Sequence, residues 1–163
     1  MKKLFLSGLV LFCLVPINLT WGIDAYGTIE SGAFFTAGGP TDYTATATMT
    51  QSLKADTASD YRLSAFQTAH YVTADSTLEA VAIGTQVEKY VTLFGIDFGI
   101  APKVGMFTDI SDGKNSSNPL LGLRFTGYLL DWVGISLGAD QIFQDGGNNT
   151  SIVGGITLTP SLK

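Results

Sequence analysis

The stretch GLRFTGYLLDWVGISLGADQIF, residues 122–143, contains two segments of alternating side chains joined by Asp131-Trp132. Alternate positions of each segment are mostly bulky and apolar, whereas the positions between them are small or polar. The bulky positions are Leu123, Phe125 and Leu129, and then Val133, Ile135 and Leu137. A period of two is that of a β-strand, whose successive side chains point to opposite faces. The stretch therefore predicts a β-hairpin with a two-residue loop.

The stretch YTATATMTQSLK, residues 43–54, has the same period but a different composition. One set of alternate positions carries threonines, a serine and Lys54, and the other runs from Tyr43 to Leu53 with two alanines, Met49 and Gln51 between them. So many threonines would make a poor helix, because branching at Cβ restricts χ1 against the preceding turn. We expect a strand with one hydroxyl face and one weakly apolar face.

Alternating segments separated by turn residues continue along the chain after residue 22. We predict eight strands, at 24–35, 43–54, 61–72, 77–87, 90–107, 119–130, 133–143 and 150–158. Glu88-Lys89 is predicted to form a tight turn, and Pro102 is predicted to end or bend the fifth strand near Ile100. The longer polar loops are expected at 108–118 and 144–150. Many short strands at regular spacing predict an all-β sandwich or barrel.

The first 22 residues have the pattern of a secretory signal peptide. Lys2 and Lys3 precede an apolar run at 4–15, which is too short to span a membrane comfortably, and Thr20 and Gly22 are tolerable at the −3 and −1 positions of a cleavage site. We assign 1–22 to the signal peptide and 23–163 to a single β-barrel domain. An uncleaved signal anchor is the alternative interpretation of this segment.

The composition limits the classes of protein to which the exported chain can belong. Loss of residues 1–22 changes the net charge from −5 to −7 and removes Cys13, the one cysteine, so the fold has no disulfide. A chain this acidic offers no basic patch for nucleic acid, and we exclude that partner. Two classes remain, which are an exported soluble domain and an outer-membrane barrel.

Charge is scarce in the predicted strands. Only 14% of the residues are charged, and many of them lie in turns. A soluble barrel would place charges on its outer faces, where they discourage edge pairing. We therefore expect an inverted barrel, with bulky side chains outside and small or polar ones inside. The interior charges would have to pair, because an isolated buried ion is costly. The predicted barrel-interior charge network is Glu30, Arg62, Asp97, Arg124 and Asp140.

The chain resembles the small eight-stranded outer-membrane β-barrel proteins of diderm bacteria, the group that includes the OmpA-type and OmpX-type barrels. The signal-peptide pattern, the hairpin at 122–143 and GGITL at 154–158 carry the resemblance. It implies one antiparallel up-and-down barrel in the cell outer membrane, surrounded by outer-membrane lipid, and we expect it to be a monomer. Such proteins usually end on an aromatic residue, whereas this chain ends TPSLK (159–163), which leaves a soluble exported barrel open.

Residues with catalytic or metal-binding chemistry are few. His70 is the only histidine, and pairing it with Ser64 would suggest a lipid-modifying enzyme; an ordinary hydrogen-bonded histidine is the interpretation we favour. DISDG (109–113) resembles the start of a calcium loop but lacks the later glutamate. We predict no enzyme activity, no metal site and no cofactor.

Three functions follow from this sequence. The first is an outer-membrane barrel with a structural or surface-interaction role, a closed polar interior and external polar loops. The second is a secreted or periplasmic lipocalin-like barrel that binds a small apolar ligand. The third is the lipid-modifying enzyme that would depend on His70. Eight strands argue against a wide pore, because side chains fill a barrel of that size.

Overall fold

The computed structural model describes the strands of the protein and several of their connections. The described residues are 23–36, 39, 41–53, 61–72, 77–110, 116–130 and 132–159. The predicted signal peptide, 1–22, and most of the calcium-like DISDG segment lie outside them. Within the described residues no helix is long and apolar enough to cross a membrane.

Eight antiparallel strands form one closed barrel in which each strand pairs with its neighbours in the chain. They are β1 Ile23–Phe35, β2 Thr41–Leu53, β3 Tyr61–Val72, β4 Thr77–Leu93, β5 Ile96–Asp109, β6 Ser116–Leu130, β7 Val133–Gln144 and β8 Gly147–Leu158. Pairing of β1 with β8, from Gly27↔Leu158 to Phe35↔Thr150, closes the barrel. The predicted all-β, up-and-down, eight-stranded barrel is confirmed.

The two ends of the barrel are distinguished by the chain segments that lie there. We call the end with Ile23 and Leu158 the terminal end, and the opposite end, with Phe35 and Asp109, the loop end. The predicted loop at 144–150 is wrong, because β7 continues to Gln144 and β8 starts at Gly147. The predicted loop at 108–118 is also shorter, since β5 ends at Asp109 and β6 starts at Ser116.

The connection between β4 and β5 differs from the sequence prediction. Glu88-Lys89 is part of β4, and the turn lies at Phe94-Gly95, where φ is 54° and 78°. Positive φ at both central residues is the requirement of a type I′ hairpin loop, which favours glycine at the second position. The prediction failed because a Glu-Lys pair usually marks a solvated turn, whereas here the Glu88 side chain points into the barrel and is 2% exposed.

Pro102 does not end the fifth strand. β5 continues to Asp109, and the β4–β5 ladder is interrupted only around Ala101 and Pro102 before it resumes in the same register at Lys103. Proline has no N–H to donate, which accounts for the local interruption. Its ring points outward and is exposed.

We expect Gly95→Ala to lower the free energy of unfolding by about 1 kcal/mol, because an L side chain is disfavoured at positive φ. Urea unfolding of the refolded chain measures the change. Gly154→Ala is the control, since Gly154 lies within β8 at ordinary φ and an added Cβ would meet neighbours only at 3.6 Å and beyond. Equal stability of the two variants would contradict the turn assignment.

Candidate functional site in the barrel interior

The barrel is apolar outside and polar inside. Outward side chains include Ile83, Ile135 and Leu137, each more than half exposed. Most buried positions on the strands carry instead hydroxyl, amide or charged groups, and buried apolar side chains such as Phe66, Leu120 and Ile142 are the minority. The buried polar residues include Thr28, Glu30, Thr44, Thr46, Thr48, Thr50, Ser52, Ser64, Thr68, His70, Gln86, Glu88, Lys103, Arg124, Thr126, Ser136, Asp140, Asn149, Ser151 and Thr157. This distribution is the reverse of that in a water-soluble barrel, whose interior is its apolar core.

The threonine row of β2 belongs to this interior. Thr44, Thr46, Thr48 and Thr50 are each at most 4% exposed, so the hydroxyl face of YTATATMTQSLK points inward. Thr48 shares a hydrogen bond of 2.9 Å with Thr68 on β3. Threonine suits these positions because it favours strands and is small enough for a narrow barrel.

Glu30 on β1 and Arg124 on β6 form an ion pair across the interior. Arg124 donates from Nη2 to Glu30 Oε2 at 2.7 Å and from Nε to Oε1 at 3.2 Å. Ser136 donates to Oε1 at 3.0 Å, and Thr46 donates to Oε2 at 3.4 Å. Both charged side chains are at most 4% exposed. A bidentate pair with further donors on the carboxylate offsets much of the cost of removing both ions from water.

Lys103 on β5 and Asp140 on β7 form a second buried pair, with Nζ and Oδ2 2.8 Å apart. Gly122 of β6 lies in register between them, opposite Lys103 on one side and Asp140 on the other. A Cβ on Gly122 would overlap Asp140 Oδ1 and would lie 2.6 Å from Lys103 Cε. Because glycine has no side chain, Lys103 and Asp140 have the space to meet across β6.

Glu88 is held nearer the terminal end by two tyrosines. Tyr90 donates to Glu88 Oε2 at 2.7 Å, and Tyr128 donates to Oε1 at 3.0 Å. Gly99 faces the carboxylate, because a Cβ there would overlap Glu88 Oε1. The Arg62 guanidinium lies 5.3 Å from the centroid of the Tyr90 ring, within the range of a cation–π contact.

The five charged residues singled out in the sequence lie in three places. Glu30 and Arg124 contact each other directly, and Asp140 pairs with Lys103 beside them. Arg62 is half-buried near the Glu88 cluster. Asp97 is separate from these groups: it lies beside the Phe94-Gly95 turn and accepts an exposed hydrogen bond from Thr92 at 2.5 Å.

Two interior charges, Lys103 and Glu88, were absent from the sequence-based set. Lys103 follows the proline at which the strand was expected to end, and Glu88 lay in the predicted turn. The alternation along β5 indicates that Lys103 points inward, because Gly99, Ala101 and Lys103 lie on one face of the strand. Glu88 likewise continues the inward alternation of Ala82 and Gln86 along β4, although its tyrosine partners come from β4 and from distant β6.

His70 and Ser64 are not arranged as a nucleophile and base. Both are buried on β3, six residues apart, which at about 3.4 Å per residue places them roughly 20 Å apart. The His70 ring contacts Phe107 edge-on, with centroids 5.1 Å apart. In the part of the chain that the structure describes, no three histidine, cysteine or acidic residues are grouped so as to hold a metal ion.

Comparisons with known proteins bear on the fold. No protein-family model matches this chain, and no curated protein matches it either. Among solved structures, Neisserial surface protein A is 12% identical with a TM-score of 0.55, and the match covers 84% of this chain and 96% of that one. The attachment invasion locus protein Ail of Yersinia pestis is 8% identical with a TM-score of 0.47, over 84% and 97% of the two chains. The match to Neisserial surface protein A confirms the predicted resemblance at the level of the fold.

We expect Arg124→Met to lower the free energy of unfolding by about 3–5 kcal/mol, because it leaves the Glu30 carboxylate buried without its cation. The double variant Glu30→Gln/Arg124→Met should lose less than the sum of the single variants. Urea unfolding of the refolded barrel provides these values. Asp97→Asn, at a half-buried carboxylate beside the Phe94-Gly95 turn, is the matched control and should change stability by no more than about 0.5 kcal/mol. If Arg124→Met were as mild as that control, the pair would not hold the interior together.

Gly122→Ala should destabilise the barrel by about 1–3 kcal/mol, because the added methyl group displaces the Lys103–Asp140 pair. Gly127→Ala tests the same change on the same strand at an outward position, where the nearest neighbour, Phe98, is 3.4 Å from the added Cβ. Thermal or urea unfolding distinguishes the two. A loss at Gly127 as large as that at Gly122 would contradict the role of the glycine in accommodating the pair.

Proposed function

We propose that this protein is a monomeric outer-membrane β-barrel with a structural or surface-interaction role. The observation that carries the proposal is the inverted distribution of side chains, with a belt of exposed apolar groups outside and paired charges inside. The belt consists of Ile29, Leu63, Ile83, Val87, Val104, Met106, Leu121, Leu123, Phe125, Leu129, Ile135, Leu137, Ile152 and Ile156. Water would disfavour so large an apolar surface, whereas lipid is its natural solvent.

Strand length is consistent with a bilayer. The strands have 12 to 17 residues. Twelve residues at about 3.4 Å each extend roughly 40 Å, and a tilt near 40° leaves about 30 Å along the barrel axis. This height covers an outward apolar band of about 25 Å. Closure also gives each strand a paired neighbour on both sides, which is what a hydrocarbon environment demands and what favours a monomer.

The lipocalin-like alternative lacks support in the interior. A barrel that stores an apolar ligand needs an apolar cavity in its centre. The centre of this barrel is filled by the Glu30–Arg124 and Lys103–Asp140 pairs and by hydroxyl groups that contact them. The separation of Ser64 from His70 likewise gives no support to the lipid-modifying enzyme, and we propose a role without catalysis.

Aromatic side chains at the ends of the barrel support the same proposal. Phe35 and Tyr43 are exposed at the loop end, and Tyr61, Phe94 and Trp132 are exposed at the terminal end. Aromatic girdles at the two lipid–water interfaces are typical of outer-membrane barrels.

We expect Leu137→Arg to lower the free energy of unfolding in lipid vesicles by about 2–4 kcal/mol, because the guanidinium would lie in hydrocarbon midway along β7. Phe94→Arg is the control, since Phe94 is fully exposed at a turn and should tolerate arginine within about 1 kcal/mol. If Leu137→Arg were as mild as Phe94→Arg, the outer wall would lie in water and the proposal would fail.

Localisation has its own test. The mature chain should fractionate with outer membranes and require detergent for extraction. It should also migrate differently on gels before and after boiling, as a stable barrel does. Recovery as a soluble monomer without detergent would instead indicate the exported soluble class.

A further inference from the structure

A cavity of about 240 Å³ opens at the loop end of the barrel. Three acidic residues line it, Asp42 of β2, Glu79 of β4 and Asp109 of β5, and each is half-buried. Of the described residues that line this cavity, none is a lysine or arginine. The walls therefore concentrate negative charge in a partly enclosed space, where it is less screened than on an open surface.

Glu79 reaches the cavity because of a bulge in β4. The β3–β4 register pairs His70 with Ala80 but Tyr71 with Leu78, which leaves Glu79 as the extra residue. Regular alternation would turn Glu79 outward, since Ala80 next to it points inward and is 3% exposed. Bulges commonly redirect a side chain beside a functional site. The Glu79 carbonyl also accepts a hydrogen bond of 2.7 Å from Ile110 N, which anchors the bulge to the end of β5.

Two buried polar side chains on the cavity wall have no hydrogen-bond partner among the residues that the structure describes. They are His70, with both ring nitrogens, and Thr44, with its hydroxyl. His70 is 5% exposed and Thr44 is 4% exposed. A buried polar group without a partner costs about 1–3 kcal/mol, so two such groups facing one cavity indicate that something there completes their hydrogen bonds.

An aromatic surface completes the cavity. Phe34 and Phe107 are stacked with ring centroids 6.0 Å apart, and both line it. Aromatic faces attract cations, and they also pack against an apolar group next to the charge. The cavity thus combines carboxylates, aromatic rings and two neutral hydrogen-bonding groups.

We propose that this cavity binds a small organic cation. Its ammonium group lies against the acidic wall that Asp42, Glu79 and Asp109 form, its apolar part lies against Phe34 and Phe107, and a polar substituent reaches His70 and Thr44. The described residues contain no cluster able to hold a metal ion, which favours a larger organic cation over a bare ion. The proposal concerns the barrel mouth alone and does not depend on what surrounds the outer wall.

Benzylammonium is a suitable probe because it joins an ammonium group to a ring, and benzyl alcohol is its neutral counterpart. His70 is the only histidine of the chain, so its imidazole NMR signals report directly on the cavity in refolded, untagged barrel. We expect benzylammonium to shift these signals saturably and to bind at least tenfold more tightly than benzyl alcohol. No saturable shift up to about 10 mM, or equal binding of the two probes, would overturn the proposal.

Charge variants locate the binding. Asp42→Asn/Asp109→Asn should weaken benzylammonium binding at least tenfold, because two of the three carboxylates lose their charge at nearly constant shape. Asp97→Asn, which removes a carboxylate near the terminal end, should leave the affinity within twofold of the parent. Gel mobility before and after boiling verifies that each variant is folded. Equal weakening by both changes would mean that the cation senses only the net charge of the protein, and the proposed site would be rejected.

Discussion

The pairing of Glu30 with Arg124 is the interaction on which the interior depends. The two residues lie on β1 and β6, which do not pair with each other, so their contact joins separate parts of the barrel wall. A carboxylate and a guanidinium out of water are tolerable only when each satisfies the other and when neighbouring donors complete the shell. Ser136 and Thr46 supply those donors. Hydroxyl side chains in the strands are thus partners of the charges as well as small space-filling groups.

Space for these charges comes from glycines. Gly122 makes room for the Lys103–Asp140 pair, and Gly99 makes room for Glu88. A Cβ added to Gly138 would lie 3.7 Å from Glu30 Oε1. An eight-stranded barrel is just wide enough for its side chains, so a long charged group on one strand requires a small residue facing it. Charged and glycine positions are therefore complementary parts of one packing arrangement.

The interior changes character along the barrel axis. At the loop end lie the apolar cluster of Phe66, Ala80, Ala82, Phe107, Leu120 and Ile142 and the acidic cavity above it. The two ion pairs follow further along β5 and β6, and Glu88 with its tyrosines lies beyond them toward the terminal end. The residues proposed to bind a cation at the loop end are therefore different from the paired charges that stabilise the centre of the barrel, although both sets lie on the same strands.

Local pattern was sufficient for most of the architecture. Eight strands and their inward and outward faces follow from period two, because alternation is a property of the strand itself. The sequence-based prediction was wrong where the position of a residue in the fold depends on side chains from distant strands. Glu88 looks like part of a turn until Tyr128 of β6 is beside it, and Pro102 looks like a strand end until the outward position of its ring is known.

By itself, the sequence of this protein determined an all-β chain with one apolar and one polar face on nearly every strand. Only the tertiary structure decided which charges meet, because the register of a closed barrel sets which residues of nonadjacent strands share a level. It placed Lys103 against Asp140 and left Asp97 at the rim. It also placed Glu79 at the mouth through a single extra residue in β4, a shift that alternation along one strand does not reveal.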